Sequence, residues 1–121
     1  MTDTQTRSLS HHTAQGADGA TLVTLHGEID LLAVAPLSAR LDALTAGPRP
    51  DLVLDLRPVA FIDCAGLGVL CRTRNRVRHS DGRLRLITDS ALFRWILRAA
   101  GLEDVFELHP RLPRSLNGAG D

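Results

Sequence analysis

Aromatic residues are scarce in this sequence, which contains three Phe, one Trp and no Tyr among 121 residues. The hydrophobic core must therefore be built from Leu, Val, Ile and Ala. Net charge is also lacking, because 14 basic residues balance 14 acidic ones. A protein that holds nucleic acid usually carries a clear basic excess, so we expect no direct nucleic-acid partner. Low net charge also leaves association into a homodimer open.

Cysteines number only two, and no long apolar run is present. Cys64 and Cys71 fall on one predicted helix, where about 10 Å separates their Cα atoms, which is beyond the reach of a disulfide. Residues 1–10 are polar and lack the apolar centre of a signal peptide, and no segment approaches transmembrane length. We therefore expect a cytoplasmic protein that does not associate with a membrane.

Catalytic and metal-binding motifs are missing as well. The chain has no Gly-x-Ser-x-Gly elbow, no phosphate loop ending in Lys-Ser or Lys-Thr, and no His/Cys cluster with metal-ligand spacing. His11 and His12 are adjacent on a predicted strand, where neighbouring side chains point to opposite faces, so they are poor joint ligands. We expect no enzyme activity, no cofactor and no bound metal.

Length and composition are those of one globular domain. With 44% apolar and 23% charged residues, the chain is long enough to bury a single hydrophobic core. We expect a flexible lead over residues 1–7, one domain over residues 8–112 and a flexible tail over residues 113–121.

Strand patterns alternate with helix patterns along this domain. Alternation of apolar and polar residues, or short apolar runs between turn residues, predicts five strands. The predicted strands cover residues 8–13, 20–26, 52–56, 83–87 and 105–108. The first two are expected to form a hairpin. Helices between the later strands predict a parallel or mixed sheet with helices packed against it.

Three helices are predicted between these strands. The first covers residues 31–46 and has one apolar face, consisting of Val34, Leu37, Leu41 and Leu44. The third begins at a cap, Asp89 or Ser90, and continues through Ala100. Its residues predicted to face inward are Leu92, Trp95, Ile96 and Ala99.

The second helix, about residues 66–79, is rich in arginine. Arg72 and Arg76 share one face, whereas Arg74 and Arg78 share another. This division argues against a single stripe that binds nucleic acid, and it favours a face exposed to solvent or to an acidic partner.

The segment from Asp63 to Gly68 is the most specific local signal. A strand of the buried type leads into a loop, and the second helix begins where this loop ends, at Cys64 to Gly66. Backbone N–H groups at a helix start form a pocket that favours anions. The two glycines allow a tight turn and the close approach of a partner. Taken alone, the segment fits a structural cap and a binding surface equally well.

At these residues the sequence resembles the STAS domain family of anti-sigma factor antagonists, also called anti-anti-sigma factors. Members carry Gly-Glu-Leu/Ile-Asp after an early strand, which residues 27–30 match here. They also carry Phe-Ile/Met-Asp-Ser-Ser/Ala-Gly-Leu-Gly-Val-Leu, which residues 61–70 match except at the first serine. Residues 90–97 and 100–102 are similar to the third helix of the family and its Gly-Leu ending.

The resemblance implies an α/β STAS fold, with a mixed sheet of four or five strands and helices packed mainly on one face. It implies a non-enzymatic role in which the protein binds an anti-sigma factor, expected to be a GHKL-type serine kinase, and so releases a sigma factor. By family likeness the residues that bind the partner are Asp30, Asp63, Cys64, Ala65, Gly66 and Leu67. Leu67 is the expected apolar contact if it projects outward.

The sequence departs from the family at the phosphoacceptor. In the family the kinase phosphorylates a serine directly after the loop aspartate, and the phosphorylated form releases its partner. Here that position is Cys64, the next is Ala65, and no other Ser or Thr occurs between Thr45 and Thr73. We therefore expect no phosphoacceptor at this loop. Cys64 is interpreted either as a small residue in the serine position or as a thiol that responds to redox conditions.

Other functions remain as alternatives. One is a regulatory or scaffolding STAS subunit of another complex, such as a signalling assembly or a lipid-transport complex. Another is a STAS module that binds a small ligand or nucleotide, although the sequence offers no phosphate loop. Asp30 and Asp63 also have two interpretations, because each precedes a predicted helix and can cap it, contact a partner, or do both.

Overall fold

The protein is described by a computed structural model over residues 8–116. Its elements are β1 Ser10–Gln15, β2 Thr21–Ile29, a 3₁₀ turn Leu31–Ala33, α1 Val34–Leu44, β3 Asp51–Asp55, β4 Val59–Ile62, α2 Cys64–His79, β5 Arg83–Ile87, α3 Ala91–Ala99, β6 Glu107–His109 and a 3₁₀ turn Arg114–Leu116. The predicted lead, residues 1–7, lies outside the described residues, as does the predicted tail from residue 117. Between residues 8 and 116, no helix is long and apolar enough to cross a membrane.

A mixed sheet of six strands forms the centre of the fold. β1 and β2 form the predicted antiparallel hairpin, whereas β2, β3, β5 and β6 are parallel neighbours in that order. β4 pairs in parallel with the end of β2. The α/β class is confirmed. The sheet has one strand more than the four or five expected, because the segment after β3 pairs with β2 instead of remaining a loop.

All three helices contribute to one apolar core on one face of the sheet. Leu37 and Leu41 of α1, Leu70 of α2 and Leu97 of α3 belong to the same cluster as alternate residues of β2, β3 and β5. Alternation along each strand directs these residues to a common side. The predicted packing of helices on one face is therefore confirmed, as is the predicted apolar face of α1.

A smaller apolar cluster lies on the opposite face and holds the end of the described chain. Its members, each at most 1% exposed, are Ala20, Leu22, Val53, Ile87 and Leu116. Ser115 Oγ also donates to Asp18 at 2.9 Å. Residues 114–116, which the sequence assigned to a flexible tail, are thus packed against the sheet because Leu116 is fully buried.

The third helix buries a different face from the one predicted. Its buried residues are Phe93 and Leu97, whereas Leu92 and Trp95 are 67% and 60% exposed. Both pairs have helical spacing, so spacing alone did not distinguish the face that packs from the face that does not. The prediction that Leu92, Trp95 and Ala99 point inward is wrong, whereas Ile96 is half-buried and packs against the core.

Three of the four α2 arginines bind within the chain. Arg72 and Arg76 approach the Asp42 carboxylate of α1 at 2.6 and 3.1 Å. Arg74 Nε donates to the Val105 carbonyl at 2.7 Å. The division into two faces therefore reflects two different neighbours, α1 on one side and the segment before β6 on the other.

Candidate functional site

Two strand-to-helix junctions lie side by side at the carboxyl end of the sheet. β2 ends at Ile29 and β4 ends at Ile62, and these two residues are paired in register. Asp30 and Asp63 follow them directly, and Asp63 N donates to the Ile29 carbonyl at 3.2 Å. The fold thus brings together the two aspartates that the sequence placed 33 positions apart. We call these the paired junctions.

Each aspartate caps the helical segment that follows it. Asp30 Oδ1 accepts from Ala33 N at 3.2 Å, and Asp63 Oδ1 accepts from Gly66 N at 2.9 Å. Their backbones are nearly alike, with φ and ψ of −117° and −174° at Asp30 and −106° and −173° at Asp63. A side-chain cap of this kind typically stabilises a protein by about 1 kcal/mol. The capping interpretation is confirmed for both residues, and their contact with a partner stays a prediction.

Cys64 is the first residue of α2, and its thiol is exposed. The N–H groups of Cys64 and Ala65 come before the first hydrogen bonds of the helix, so the helix itself gives them no acceptor. Cys71 lies two turns further on and packs at the margin of the core. Both cysteines are free. The serine position of the family motif is therefore an accessible thiol beside unused backbone donors.

Gly66 is required by packing inside the protein. A Cβ at this position would clash with the Ile29 carbonyl oxygen and would lie 2.7 Å from Ile62 Cγ1. The first turn of α2 can therefore rest on the ends of β2 and β4 only because residue 66 has no side chain. Gly66 is buried, so it supports the surface that Cys64 and Ala65 form, and its contact with a partner stays a prediction. Gly68 is exposed, with no heavy atom within 4 Å of its Cβ position.

Leu67 points into the core and is not an outward contact. It is 8% exposed and belongs to the same cluster as Leu70 and Val77. Because α2 begins at Cys64, its outer face carries Cys64 and Gly68, and residue 67 turns toward the sheet. The condition under which Leu67 was expected to be the apolar contact, that it projects outward, is therefore not met, and its contact with a partner stays a prediction.

The exposed apolar residues beside the paired junctions are different ones, which the sequence analysis missed. Leu31 and Leu32, directly after Asp30, are 71% and 87% exposed, and Phe61, two residues before Asp63, is 51% exposed. A signal for the first pair was present in the sequence, because two leucines directly follow a capping aspartate. Phe61 gave no such signal, since its exposure depends on the pairing of β4.

A large electrostatic perturbation lies away from the paired junctions, at the β5–β6 edge. Hydrogen bonds from the Arg83 guanidinium, with a further bond from His109, lower the pKa of Glu107 from 4.5 to about 2. The same contact raises the pKa of Arg83. This cluster joins the short strand β6 to β5, so its role is to hold the sheet edge rather than to act at the junctions.

Comparison with known proteins identifies the family. The family described as "Mlab, STAS domain" matches residues 12–110. The anti-sigma-F factor antagonist RsfA of Mycobacterium tuberculosis is 30% identical over 108 residues, which is 87% of this chain and 84% of RsfA. RsfB of the same species, another anti-sigma-F factor antagonist, is 28% identical over 101 residues, which is 84% of this chain and 82% of RsfB.

A solved structure agrees with these relatives. The crystal structure of an anti-sigma factor antagonist from Mycobacterium paratuberculosis has a TM-score of 0.78 to this chain at 28% identity. The match covers 95% of this chain and 97% of the other. With its sheet order, its paired junctions and its relatives, the chain belongs to the STAS domain family, among relatives that are anti-sigma factor antagonists.

Proposed function

We propose that this protein is an anti-sigma factor antagonist, which binds an anti-sigma factor through the paired junctions and so releases the sigma factor. The observation that carries the proposal is the pairing of Ile29 with Ile62, which places two capping aspartates and the exposed Cys64 on one surface. Relatives that are 30% and 28% identical have names that state this activity.

The chemistry of the paired junctions suits recognition of a protein surface. Asp30 and Asp63 each use Oδ1 for a cap, which leaves Oδ2 as an acceptor for a donor on the partner. Cys64 and Ala65 add backbone N–H donors at the start of α2. Because both aspartates are fixed by their caps, little conformational entropy is lost when a partner binds.

Control by phosphorylation is absent from this loop in our proposal. Neither Cys64 nor Ala65 has a hydroxyl group that could accept a phosphoryl group. A phosphate at residue 64 would add nearly two negative charges beside Asp63 and would disrupt an interface there. We therefore propose that the protein is constitutively able to bind and that Cys64 fills the serine position as a small side chain.

The proposed partner is an anti-sigma factor of the GHKL-type serine kinase class. We propose that the chain acts in the cytoplasm by binding alone, without catalysis and without direct contact to nucleic acid. The balanced charge of the sequence and the internal contacts of Arg72, Arg74 and Arg76 support the last point.

Calorimetric titration against purified GHKL-type anti-sigma factors from the same organism tests this function. We expect one of them to bind the wild-type chain, Cys64→Ser to bind within about threefold, and Cys64→Asp to bind at least tenfold more weakly, a difference of about 1.4 kcal/mol. The matched control is Asn75→Asp, which adds the same charge to the same helix face about 16 Å away. Absence of binding to every anti-sigma factor, with binding to a transporter or scaffold subunit instead, would favour the alternative STAS function.

A second assay tests the loss of phosphorylation control. The anti-sigma factor that binds is incubated with ATP and either the wild-type chain or Cys64→Ser, and phosphate at residues 63–66 is measured by mass spectrometry. We expect phosphate in Cys64→Ser and none in the wild-type loop. Stoichiometric phosphate in the wild-type loop would contradict the proposal.

A further inference from the structure

α3 carries an apolar stripe that the other elements within residues 8–116 leave largely uncovered. Leu92 and Trp95 are 67% and 60% exposed, Ala99 is exposed and Ile96 is half-buried. Steps of three, one and three residues place these four on one flank of the helix. A stripe with this spacing is typical of a helix face that packs against another element. Here that face is free beside the one that Phe93 and Leu97 already bury.

An apolar groove of about 150 Å³ separates this stripe from β4. Its lining includes Phe61 and Ile62 of β4 and Leu92, Phe93 and Ile96 of α3. An apolar cavity of about 150 Å³ is large enough to hold a benzene ring. The β4–α3 groove can therefore receive one side chain of the size of Leu or Phe.

The open edge of β4 indicates that the occupant is a peptide segment. Among the described residues β4 pairs only with β2, and all four of its residues line the groove. Asp63 N is directed to Ile29, so the alternate residues Ala60 and Ile62 direct their backbone groups to the other side. An unpaired strand edge offers these groups to an extended segment of another protein.

Neither arginine of α3 is among the residues that line the groove. α3 contains Arg94 and Arg98 and no acidic residue. Arg98 is paired with Glu103 at 3.0 Å, whereas Arg94 has no carboxylate partner between residues 8 and 116. Arg94 lies on the opposite flank of the helix from Leu92 and Ile96, so charge does not select the occupant of the groove.

The exposed area decides between a second copy and a different partner. If each side chain has about 150–250 Å² when fully exposed, Phe61, Leu92 and Trp95 together present roughly 350 Å². A stable interface needs about 800 Å² from each side, so this patch alone is too small to hold two copies together. Phe61 is two residues from Asp63, and the patch is therefore continuous with the paired junctions. Together the two surfaces can form one larger interface.

We propose that the β4–α3 groove receives an apolar side chain, of the size of Leu or Phe, from an extended segment of the anti-sigma factor, and that Leu92 and Trp95 pack against this segment. The inference rests on the proposed function and adds a second contact region to it. In this inference the groove makes the apolar contact with the partner, a contact for which the sequence had suggested Leu67.

The test uses the full chain and the anti-sigma factor that binds the wild type. We expect Leu92→Ser and Trp95→Ala each to weaken the dissociation constant at least tenfold, because buried apolar anchors dominate interface energetics. Both residues are exposed in the free protein, so the Tm of each variant should stay within about 2 °C of the wild type. Arg78→Ala, at an exposed residue outside the groove, is the control and should bind like the wild type.

Trp95 is the only tryptophan of the chain, so it reports on the stripe beside the groove without interference from other residues. In protein labelled with 5-fluorotryptophan, its single ¹⁹F resonance should shift when the anti-sigma factor is added. If Leu92→Ser binds within twofold of the wild type while Cys64→Asp loses binding, the groove lies outside the interface and the proposed function stands. If the wild type binds no anti-sigma factor, both proposals fail. A shift that depends on the concentration of the chain alone, with a dimer mass in sedimentation, would assign the groove to a second copy and overturn the inference.

Discussion

Replacing Gly66 by Ala is the change whose effect the structure defines most closely. The added methyl would clash with the Ile29 carbonyl oxygen and would lie 2.7 Å from Ile62 Cγ1 and 2.9 Å from Ile29 Cγ2. Neither neighbour can move freely, because the oxygen belongs to the backbone of a paired strand and both isoleucines are in the core. The start of α2 must therefore move away from the sheet. That movement would loosen the Asp63 cap and the bond from Asp63 N to Ile29.

The magnitude follows from three terms. Overpacking of a tight core site costs about 1–3 kcal/mol, and loss of a side-chain cap costs about 1 kcal/mol. The higher helix propensity of alanine offsets this by about 1 kcal/mol. We therefore expect Gly66→Ala to lower the free energy of unfolding by about 2 kcal/mol, with weaker binding of the partner because the junction is displaced.

Gly68→Ala is the matched control. It lies two residues further along the same helix, and no heavy atom is within 4 Å of its Cβ position. Here only the propensity term acts, so we expect Gly68→Ala to be more stable than the wild type by up to about 1 kcal/mol. Urea unfolding followed by circular dichroism measures both variants. Equal stability of the two variants would refute the reasoning, since it would mean that α2 does not rest on the strand ends as described.

Three further predictions concern other parts of the fold. Asp63→Ala removes the α2 cap and should lower the free energy of unfolding by about 1 kcal/mol in urea, whereas an unchanged value would mean that the cap is not formed in solution. Leu116→Ala should lower it by about 2–4 kcal/mol, because Leu116 is fully buried; a surface-like effect below about 0.5 kcal/mol would show that residues 113–116 are not packed. The folded-state pKa of Glu107, about 2, lies below its ordinary value of 4.5, so this carboxylate contributes stability that is fully present above pH 4.5 and is lost as the pH falls toward 2. The Glu107 side chain is 38% exposed, and after screening by solvent we expect about 1 kcal/mol. In urea titrations over a series of pH values, Glu107→Gln should lose about that much less unfolding free energy than the wild type as the pH falls from 4.5 to 2. The same loss in both proteins would contradict the lowered pKa of Glu107.

The sequence was most informative where local chemistry and tertiary packing agree. Residues 83–87 read as a strand and form β5 with the same ends. The segment from Asp63 to Gly68 stood out because a cap and glycines have a local physical basis, and its resemblance to the STAS motif then predicted a binding loop. The α1 face was also predicted, since its four apolar residues form the only apolar stripe of that helix.

The sequence was least informative where a choice depended on distant partners. β4 is four residues long and becomes a strand only by pairing with the end of β2, which lies about 30 residues earlier in the chain. α3 is apolar around most of its circumference, so its buried face depends on how the helix is placed. The direction of Leu67 was left open because it depends on where α2 begins, and Leu116 was expected in the tail because a single leucine among polar residues has no periodic signal.

The binding of Cys64→Asp measures the central claim most directly. In calorimetric titrations with the anti-sigma factor, we expect Cys64→Asp to bind at least tenfold more weakly than the wild type, and Asn75→Asp to bind like the wild type. Equal affinity of Cys64→Asp and the wild type would show that the start of α2 is not part of the interface, and would contradict the assignment of the paired junctions as the binding surface.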